Sequence, residues 1–263
     1  MLRCSAAAQF GGSGALSPHE IAPWAAWHGR LMVAAWVIIL PLGVLLARFF
    51  KVTPRQRWPQ TLDNKFWWHS HLALQYSGVA IMTVAAVIAA RHAHPARSAV
   101  TFHGILGWAV VTLGWLQLLG GLMRGSKGGP QLGFHGARSI LRGDHYDMTR
   151  RRVVFEYVHK SGGYLALVLS LLVVALGLQL VHAPRWMGWM IAAAWICGLL
   201  IFGWLQWTGR CIDTYQAIWG PAAEHPGNRR QPIGWGVRRF GQDARGGAAL
   251  RRVEETGRQE IDV

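Results

Sequence analysis

Residues 153–182 read VVFEYVHKSGGYLALVLSLLVVALGLQLVH, and beyond Lys160 this stretch contains no charged residue. It is longer than the roughly 20 apolar residues that an α-helix needs to cross a hydrocarbon core of about 30 Å. Five such helices in a water-soluble bundle would leave too few polar faces for solvent. The sequence therefore predicts an all-α integral membrane protein, because four further apolar runs lie at roughly residues 24–47, 66–90, 99–123 and 186–207.

The basic residues are distributed unevenly between these helices. The 263 residues include 27 Lys and Arg against 12 Asp and Glu, which gives a net charge of +15. Most of these cations lie in the connections at 48–65 and 124–152 and after residue 207, whereas the alternate connections hold few. By the positive-inside rule, this pattern predicts an N-terminus outside and a C-terminus in the cytoplasm of a bacterial inner membrane. It also explains the net charge without nucleic-acid binding.

The chain divides into three parts by composition. Residues 1–22 are expected to form a flexible outer segment, residues 23–208 a transmembrane domain, and residues 209–263 a cytoplasmic segment with a basic tail attracted to membrane lipid. The glycine-rich connection at 125–149 is expected to be irregular, and residues 213–228 are expected to form an ordered, turn-rich segment near the membrane surface. Pro41 is expected to bend the first helix.

Histidines inside the apolar runs are the candidate functional residues. The sequence has 12 histidines, of which five lie within these runs: His28, His69, His71, His103 and His159. The others lie in tails or loops or at a helix end. For those in tails and loops, His145 among them, a solvated side chain is the simpler interpretation.

Four of the five match in depth. His28 and His103 lie near the outer ends of the first and third helices, and His71 and His159 lie near the cytoplasmic ends of the second and fourth. In a four-helix bundle the first and third helices are diagonal neighbours, as are the second and fourth, so each pair can meet across the interior. His69 and His71 are roughly 200° apart around their helix, so only one of them can face that interior.

Two facing imidazoles can bind one haem iron from both sides. The chain has no Cys-x-x-Cys-His motif for covalent attachment. The residues therefore predict a four-helix transmembrane bundle holding two non-covalent b-type haems, with a fifth spanning helix beside it. The simpler alternative is that these histidines are interfacial and bind water or lipid headgroups. Four ionisable groups paired by leaflet and by helix favour a functional site.

The motifs around these histidines resemble those of the cytochrome b561 family, particularly the form found in bacteria and in proteins with an attached DOMON domain. The resemblance covers roughly residues 24–183. It depends on the order and spacing of short fragments: Trp27-His28-Gly29-Arg30-Leu31-Met32, His71-Leu-Ala-Leu-Gln75, His103-Gly-Ile-Leu-Gly107 followed by Gln117, Gly121 and Arg124, and Glu156-x-x-His159-Lys-x-x-Gly163.

This resemblance implies the roles of individual residues. It implies that His28 with His103, and His71 with His159, are the axial ligands of two haems, and it favours His71 over His69. It also implies basic side chains near the inner haem, where relatives meet ascorbate or bind haem propionates. The basic residues predicted at that face are Arg48, Lys65, Arg124, Arg150, Arg151 and Arg152. They would stabilise an anionic group there, although the same residues could serve only to set topology.

The leading functional hypothesis is transmembrane electron transfer through both haems, with a separate periplasmic or cytoplasmic redox molecule as donor or acceptor. Bis-histidine ligation leaves no open iron position for oxygen activation. One alternative is a haem-b subunit that exchanges electrons between quinone and a partner dehydrogenase. Another is a cofactor-free transporter or scaffold whose histidines bind protons or a transition metal. The family resemblance also suggests a homodimer.

Overall fold

The structure is a computed structural model that describes residues 21–92, 101–132 and 138–241. Most of the predicted flexible segment 1–22 and the predicted basic tail after residue 241 lie outside the described residues. Within the described ranges, five helices are long and apolar enough to cross a membrane. The first consists of α1 (Pro23–Val33), a π-helical turn (Ala34–Ile39) and α2 (Leu40–Phe49), and the others are α3 (Phe66–His92), α4 (Phe102–Leu122), α5 (Arg150–Leu180) and α6 (Arg185–Trp207). The prediction of an all-α integral membrane protein is confirmed.

Pro41 lies inside the first spanning helix, where the sequence predicts a bend. Proline has no N–H to donate, and its ring clashes with the carbonyl four residues earlier. The structure has the π-helical turn directly before α2, and there the Leu40 N–H donates to the Ala35 carbonyl, five residues back. The helix therefore accommodates Pro41 with a locally widened turn.

The interior of the bundle lies between the first helix, α3, α4 and α5. Gly78 allows α3 to approach the first helix closely, since a Cβ at this position would lie 2.5 Å from Leu40 Cδ2. α6 packs beside α2 and leaves large apolar side chains exposed, including Trp189 at 74% and Trp207 at 88%. Such surfaces are stable in hydrocarbon. The buried core residues are Ala35, Trp36, Leu40, Val79, Met82, Val110, Ala166 and Val173.

Three segments pack together at one end of the bundle, called here the basic end. They are the connections 50–65 and 123–149 and the segment 208–241. Arg210 donates to the Val52 carbonyl at 2.8 Å, and the Asp63 N–H donates to the Ala217 carbonyl at 3.0 Å. These bonds join the first connection to the C-terminal segment. Arg48, Lys51, Lys65, Arg124 and Arg152 lie at this end, which the charge pattern predicts to face the cytoplasm.

The glycine-rich connection is more regular than predicted. It contains a two-stranded antiparallel hairpin of β1 (Gly129–Leu132) and β2 (Arg138–Leu141). Gly129 has a φ of 107°, and a Cβ there would lie 2.2 Å from the Trp219 ring. A glycine is therefore required where the hairpin meets the C-terminal segment.

The C-terminal segment is ordered, as the sequence predicts for residues 213–228. It contains the short helix α7 (Thr214–Trp219), whose N-cap Asp213 accepts from the Tyr215 N–H at 3.2 Å. Asp213 is also ion-paired with Arg239. The Tyr215 hydroxyl donates to the Tyr146 carbonyl at 2.8 Å. The Tyr215–Tyr146 bond attaches the segment to the 123–149 connection.

The interpretation of His145 as a solvated loop residue is wrong. Its side chain is 4% exposed and lies between the rings of Tyr215 and Trp219, with centroids 5.7 and 6.0 Å away. Nε2 has no hydrogen-bond partner among the described residues. Burial, and then the nearby Arg152 cation, lower the pKa of His145 to about 3. The sequence places His145 in a loop, but the C-terminal segment folds over that loop and covers it.

This burial predicts a specific acid sensitivity. Between pH 6.5 and about 3 the unfolded chain binds a proton at His145 that the folded chain does not, so stability falls as the pH decreases through this window. The expected loss is on the order of 2 kcal/mol at pH 5. We expect His145→Phe to remove this component of the pH dependence, measured by thermal unfolding in detergent from pH 8 to pH 4.5. The exposed His69, changed to Phe, is the control and should leave the profile unchanged.

Candidate functional site

The four matched histidines form two pairs in the structure. The ring centroids of His28 and His103 are 6.2 Å apart, with 85° between the ring planes. Those of His71 and His159 are 6.4 Å apart, with 83° between the planes. His69 is exposed on the other side of its helix. The structure thus brings together the residues that the sequence pairs by depth.

Backbone carbonyls hold three of these rings in place. Nδ1 of His28 lies 2.9 Å from the Ala85 carbonyl oxygen, and Nδ1 of His71 lies 3.0 Å from that of Gly43. Nδ1 of His103 lies 3.0 Å from the Val173 carbonyl oxygen. A carbonyl oxygen only accepts, so Nδ1 must be the protonated nitrogen in each ring. Nε2 then keeps its lone pair, as a metal-ligating imidazole requires.

Close helix packing makes these carbonyls reachable. Where α3 crosses the first helix, a Cβ on Gly43 would lie 2.4 Å from Gln75 Nε2, and Gln75 donates to the Leu40 carbonyl at 3.2 Å. Where α4 crosses α5, a Cβ on Gly177 would lie 2.9 Å from His103 Cε1. Each crossing therefore needs a glycine beside the histidine.

The spacing of the rings fits a metal held between them. Imidazole nitrogens bind metal ions at about 2.0–2.1 Å, so two rings on opposite sides of one ion have centroids about 6–6.5 Å apart. Both observed separations, 6.2 and 6.4 Å, agree with this value. The residues present therefore fit a haem iron with two axial histidines.

A cavity of about 500 Å³ surrounds the second pair, His71 and His159, at the basic end. It falls within the range of about 300–1,000 Å³ typical of cofactor and ligand sites. Its basic lining residues are Arg48, Lys51, Arg124, Arg152 and Lys160.

The predicted basic residues differ in position. Arg48, Arg124 and Arg152 line this cavity, whereas Lys65 does not and instead pairs with Asp63 at the surface, where its side chain is 52% exposed. Arg124 lies over the Trp68 ring at 4.0 Å, and burial lowers the pKa of its guanidinium. Arg150 and Arg151 do not line the cavity either. Three of the six predicted positions thus lie where an anionic group beside the His71 pair would meet them.

Arg48 connects the cavity to the C-terminal segment. Its guanidinium donates to the Tyr164 hydroxyl at 2.9 Å, to Gln206 Oε1 at 2.8 Å and to the Trp235 carbonyl at 2.6 Å. Ile233, Gly234 and Val237 of the same segment line the cavity. The C-terminal segment therefore forms part of its wall.

Glu156 balances part of the positive charge. This residue is 5% exposed; its Oε1 accepts from Arg152 Nε at 3.0 Å and its Oε2 from Lys160 Nζ at 2.6 Å. Among the described residues that line the cavity, Glu156 is the only acidic one. The remaining positive charge favours an anionic group, as a carboxylate-bearing cofactor or donor would provide.

Sequence reasoning did not single out three residues of this site. Lys51 follows the end of the first helix by two residues, yet it is 8% exposed and donates to the Ile212 carbonyl at 3.1 Å. Burial lowers the pKa of Lys51 to about 8. Lys160 and Gln117 lie within the sequence motifs, which assign no role to either. For Lys160 alone does the sequence predict a contact, because it lies four residues after Glu156 and an ion pair at this spacing is expected on a helix.

A helical membrane bundle with two pairs of facing histidines belongs to the class of proteins that hold cofactors between spanning helices. Residues 27–126 match the family model described as eukaryotic cytochrome b561. This range includes His28, His71 and His103, while His159 lies beyond it.

The chain is also similar to curated proteins. It is 28% identical over 162 residues to ferric-chelate reductase 1 of Homo sapiens, an alignment covering 58% of this chain and 22% of that protein. With ferric-chelate reductase 1 of Bos taurus it shares 27% over 154 residues, covering 58% and 22%. With a cytochrome b561 and DOMON domain-containing protein of Arabidopsis thaliana it shares 27% over 187 residues, covering 70% and 36%. The chain thus spans between about a fifth and two fifths of the length of these relatives. No solved structure matches the chain.

The family model and these relatives confirm the resemblance of the chain to the cytochrome b561 family. A b-type haem is the cofactor that this family implies.

Proposed function

We propose that this protein transfers electrons across a membrane through two b-type haems, one held by His28 and His103 and the other by His71 and His159. The observation that carries the proposal is the ring separation of each pair, 6.2 and 6.4 Å, which suits one metal ion between two imidazoles. Three of the four rings also have Nδ1 bonded to a carbonyl, which leaves Nε2 as the ligating atom.

The protein supplies position, charge and exclusion of water, while a bound haem supplies one-electron chemistry at its iron. The carbonyl bonds fix the ring orientations of His28, His71 and His103, so these ligands need not reorganise when the charge on the metal changes. The surrounding apolar helices keep water away and help to set the redox potentials.

The two sites have different surroundings. The His71 pair lies in the cavity with five basic side chains and Glu156, whereas the His28 pair lies toward the opposite end of the bundle, where Trp24 stacks on His92 at 6.1 Å. Positive charge beside the His71 site would stabilise haem propionates or an anionic electron donor. We therefore propose that electrons enter at the basic end and leave at the opposite end.

The names of two relatives support a proposal for the acceptor. Two of those named above are ferric-chelate reductases, and we propose that the present chain likewise passes electrons to an acceptor beyond the opposite end, such as a ferric chelate or a separate redox protein. The DOMON domain named in the plant relative suggests a redox domain as a partner of this kind.

Haem content of the purified protein tests the proposal. We expect a pyridine haemochrome assay, after expression with ample haem, to give two b haems per chain. A colourless protein would refute it and would favour a cofactor-free transporter or scaffold. In vesicles loaded with a reductant, we also expect reduction of an external ferric chelate that depends on the haem-loaded protein. Haem-loaded vesicles that reduce quinone but not the external chelate would favour the quinone-linked subunit.

A further inference from the structure

His159 differs from the other paired histidines in its hydrogen-bond partner. Nδ1 of each of the other three faces a backbone carbonyl, whereas Nδ1 of His159 lies 3.1 Å from the side-chain amide of Gln117 on α4. A backbone carbonyl can only accept a hydrogen bond, but an amide can donate through its nitrogen or accept through its oxygen. The protonated nitrogen of His159 is therefore determined by how this amide is turned.

The contacts around Gln117 favour one orientation when nothing is bound at the ring. With its nitrogen toward His159, Nε2 donates to the His159 carbonyl at 2.9 Å and to Nδ1 at 3.1 Å, and Oε1 accepts from the Gly163 N–H at 3.3 Å. Nδ1 is then an acceptor, so the proton of the neutral ring lies on Nε2. A ring in this tautomer cannot bind a metal through Nε2.

The opposite orientation prepares the ring for ligation. With the amide turned over, Oε1 accepts from the Nδ1 proton, and Nε2 keeps its lone pair. This arrangement loses the bonds to the His159 carbonyl and the Gly163 N–H, so a bound metal must compensate for them. The hydrogen-bond partner of His159 can therefore change from donor to acceptor, whereas the backbone carbonyls beside the other three histidines can only accept.

Gly162 makes room for the amide. A Cβ on Gly162 would lie 2.3 Å from the end of the Gln117 side-chain amide, so any larger residue would displace the Gln117 side chain. Gly163, the next residue, provides the N–H that Oε1 can accept from. The two glycines that follow His159 on α5 therefore leave space for the Gln117 amide and offer it a hydrogen-bond donor.

We propose that Gln117 is the positioning residue of the haem site at the basic end, and that its amide turns over to select the ligating tautomer of His159. This inference depends on the proposed function, because it assigns Gln117 to one of the two proposed haems. Of the four proposed metal ligands, His159 is then the one whose donor strength depends on a side chain and not on a backbone carbonyl.

Two substitutions at this position should act in opposite directions. In Gln117→Glu, an ionised carboxylate can only accept from Nδ1, which makes His159 a stronger donor and stabilises the oxidised metal. We expect Gln117→Glu to lower the midpoint potential of one haem and to leave that of the other unchanged, in a spectroscopic redox titration. Gln117→Leu removes the acceptor, and we expect it to raise the midpoint potential of the same haem and to reduce its occupancy.

Matched variants separate this role from general damage to the bundle. Gln75→Leu removes another amide that lines the same cavity but is bonded to the Leu40 carbonyl, and it should shift neither potential as far as the Gln117 variants do. Gly162→Ala should reproduce the effect of Gln117→Leu without altering position 117. Gly120→Ala, where an added Cβ has no neighbour within 4 Å, should have no effect.

The possible results are distinguishable. Wild-type protein without haem would refute the proposed function. Wild-type protein with two haems, whose potentials are unchanged in Gln117→Glu, Gln117→Leu and Gly162→Ala, would overturn the role of Gln117 alone. Equal shifts of both haems, or a shift in Gln75→Leu as large as those of the Gln117 variants, would overturn it as well. If Gln117→Leu does not fold, Gly162→Ala and Gln117→Glu decide the question.

Discussion

Changing His71 to alanine should remove one of the two proposed b haems and leave the other bound. A non-covalent haem is held largely by its two axial ligands and by apolar contacts. The His71 ring lies 6.4 Å from that of His159, and its Nδ1 is bonded to the Gly43 carbonyl. His71→Ala would therefore remove one of the two proposed ligands of this haem and leave His159 without a facing ring. We expect the haem content to fall from two per chain to one. His28→Ala should have the same effect on the other haem.

The spectra should show which haem has been lost. The two sites differ in charge, because basic side chains line the cavity of the His71 pair, so the haems should differ in midpoint potential. We expect His71→Ala and His159→Ala to remove the same redox component. His28→Ala and His103→Ala should both remove the other component.

His69 provides a matched control for this experiment. It lies two residues before His71 on α3 but is exposed, so His69→Ala should retain both haems. If His69→Ala loses a haem while His71→Ala retains two, the assignment of the ligand on α3 is wrong. Loss of both haems from His71→Ala and from His28→Ala would contradict two independent sites.

The five spanning helices and the pairing of the histidines could be predicted because both depend on properties local to the sequence. A run of apolar residues specifies a spanning helix by its length. The depth of a histidine along its helix, with the direction of that helix, then determines which leaflet it occupies. His28 and His103 therefore pair on the sequence alone, and so do His71 and His159. The angular positions of His69 and His71 show only that one of them can face the interior, and the choice of His71 depends on the family resemblance.

The partners that orient these histidines could not be predicted. Ala85, Gly43 and Val173 contribute only their carbonyl oxygens, and every residue type has a carbonyl. Which one meets Nδ1 depends on how two helices are packed, which hydrophobic patterns do not specify. The same limit applies to His145 and Lys51. Both lie in connections by sequence, and both are buried by a C-terminal segment that is distant in the chain.

Changing Glu156 to glutamine should destabilise the folded protein strongly. The carboxylate is buried between Arg152 and Lys160, with oxygen to nitrogen distances of 3.0 and 2.6 Å. Glutamine has nearly the same shape but no charge, so two cations would remain close together without a counter-charge. Breaking a buried ion pair in this way costs about 3–5 kcal/mol. We expect a loss of this size in the free energy of unfolding, measured by denaturant titration in detergent micelles.

Asp63 offers a surface comparison for Glu156. It also bridges two lysines, Lys65 and Lys127, but these side chains are 52% and 48% exposed. Asp63 has a φ of 55°, a conformation that asparagine tolerates well. Asp63→Asn should therefore cost less than about 1 kcal/mol, as is usual for exposed ion pairs.

The role of the trapped cations can be tested by removing one of them. Arg152→Gln together with Glu156→Gln relieves part of the uncompensated positive charge, so the double variant should lose less stability than the sum of the two single variants. Additive losses would show that Glu156 acts through packing rather than charge. An effect of Glu156→Gln no larger than that of Asp63→Asn would mean that solvent or a bound group neutralises the cations, and the buried ion network would not stabilise the basic end.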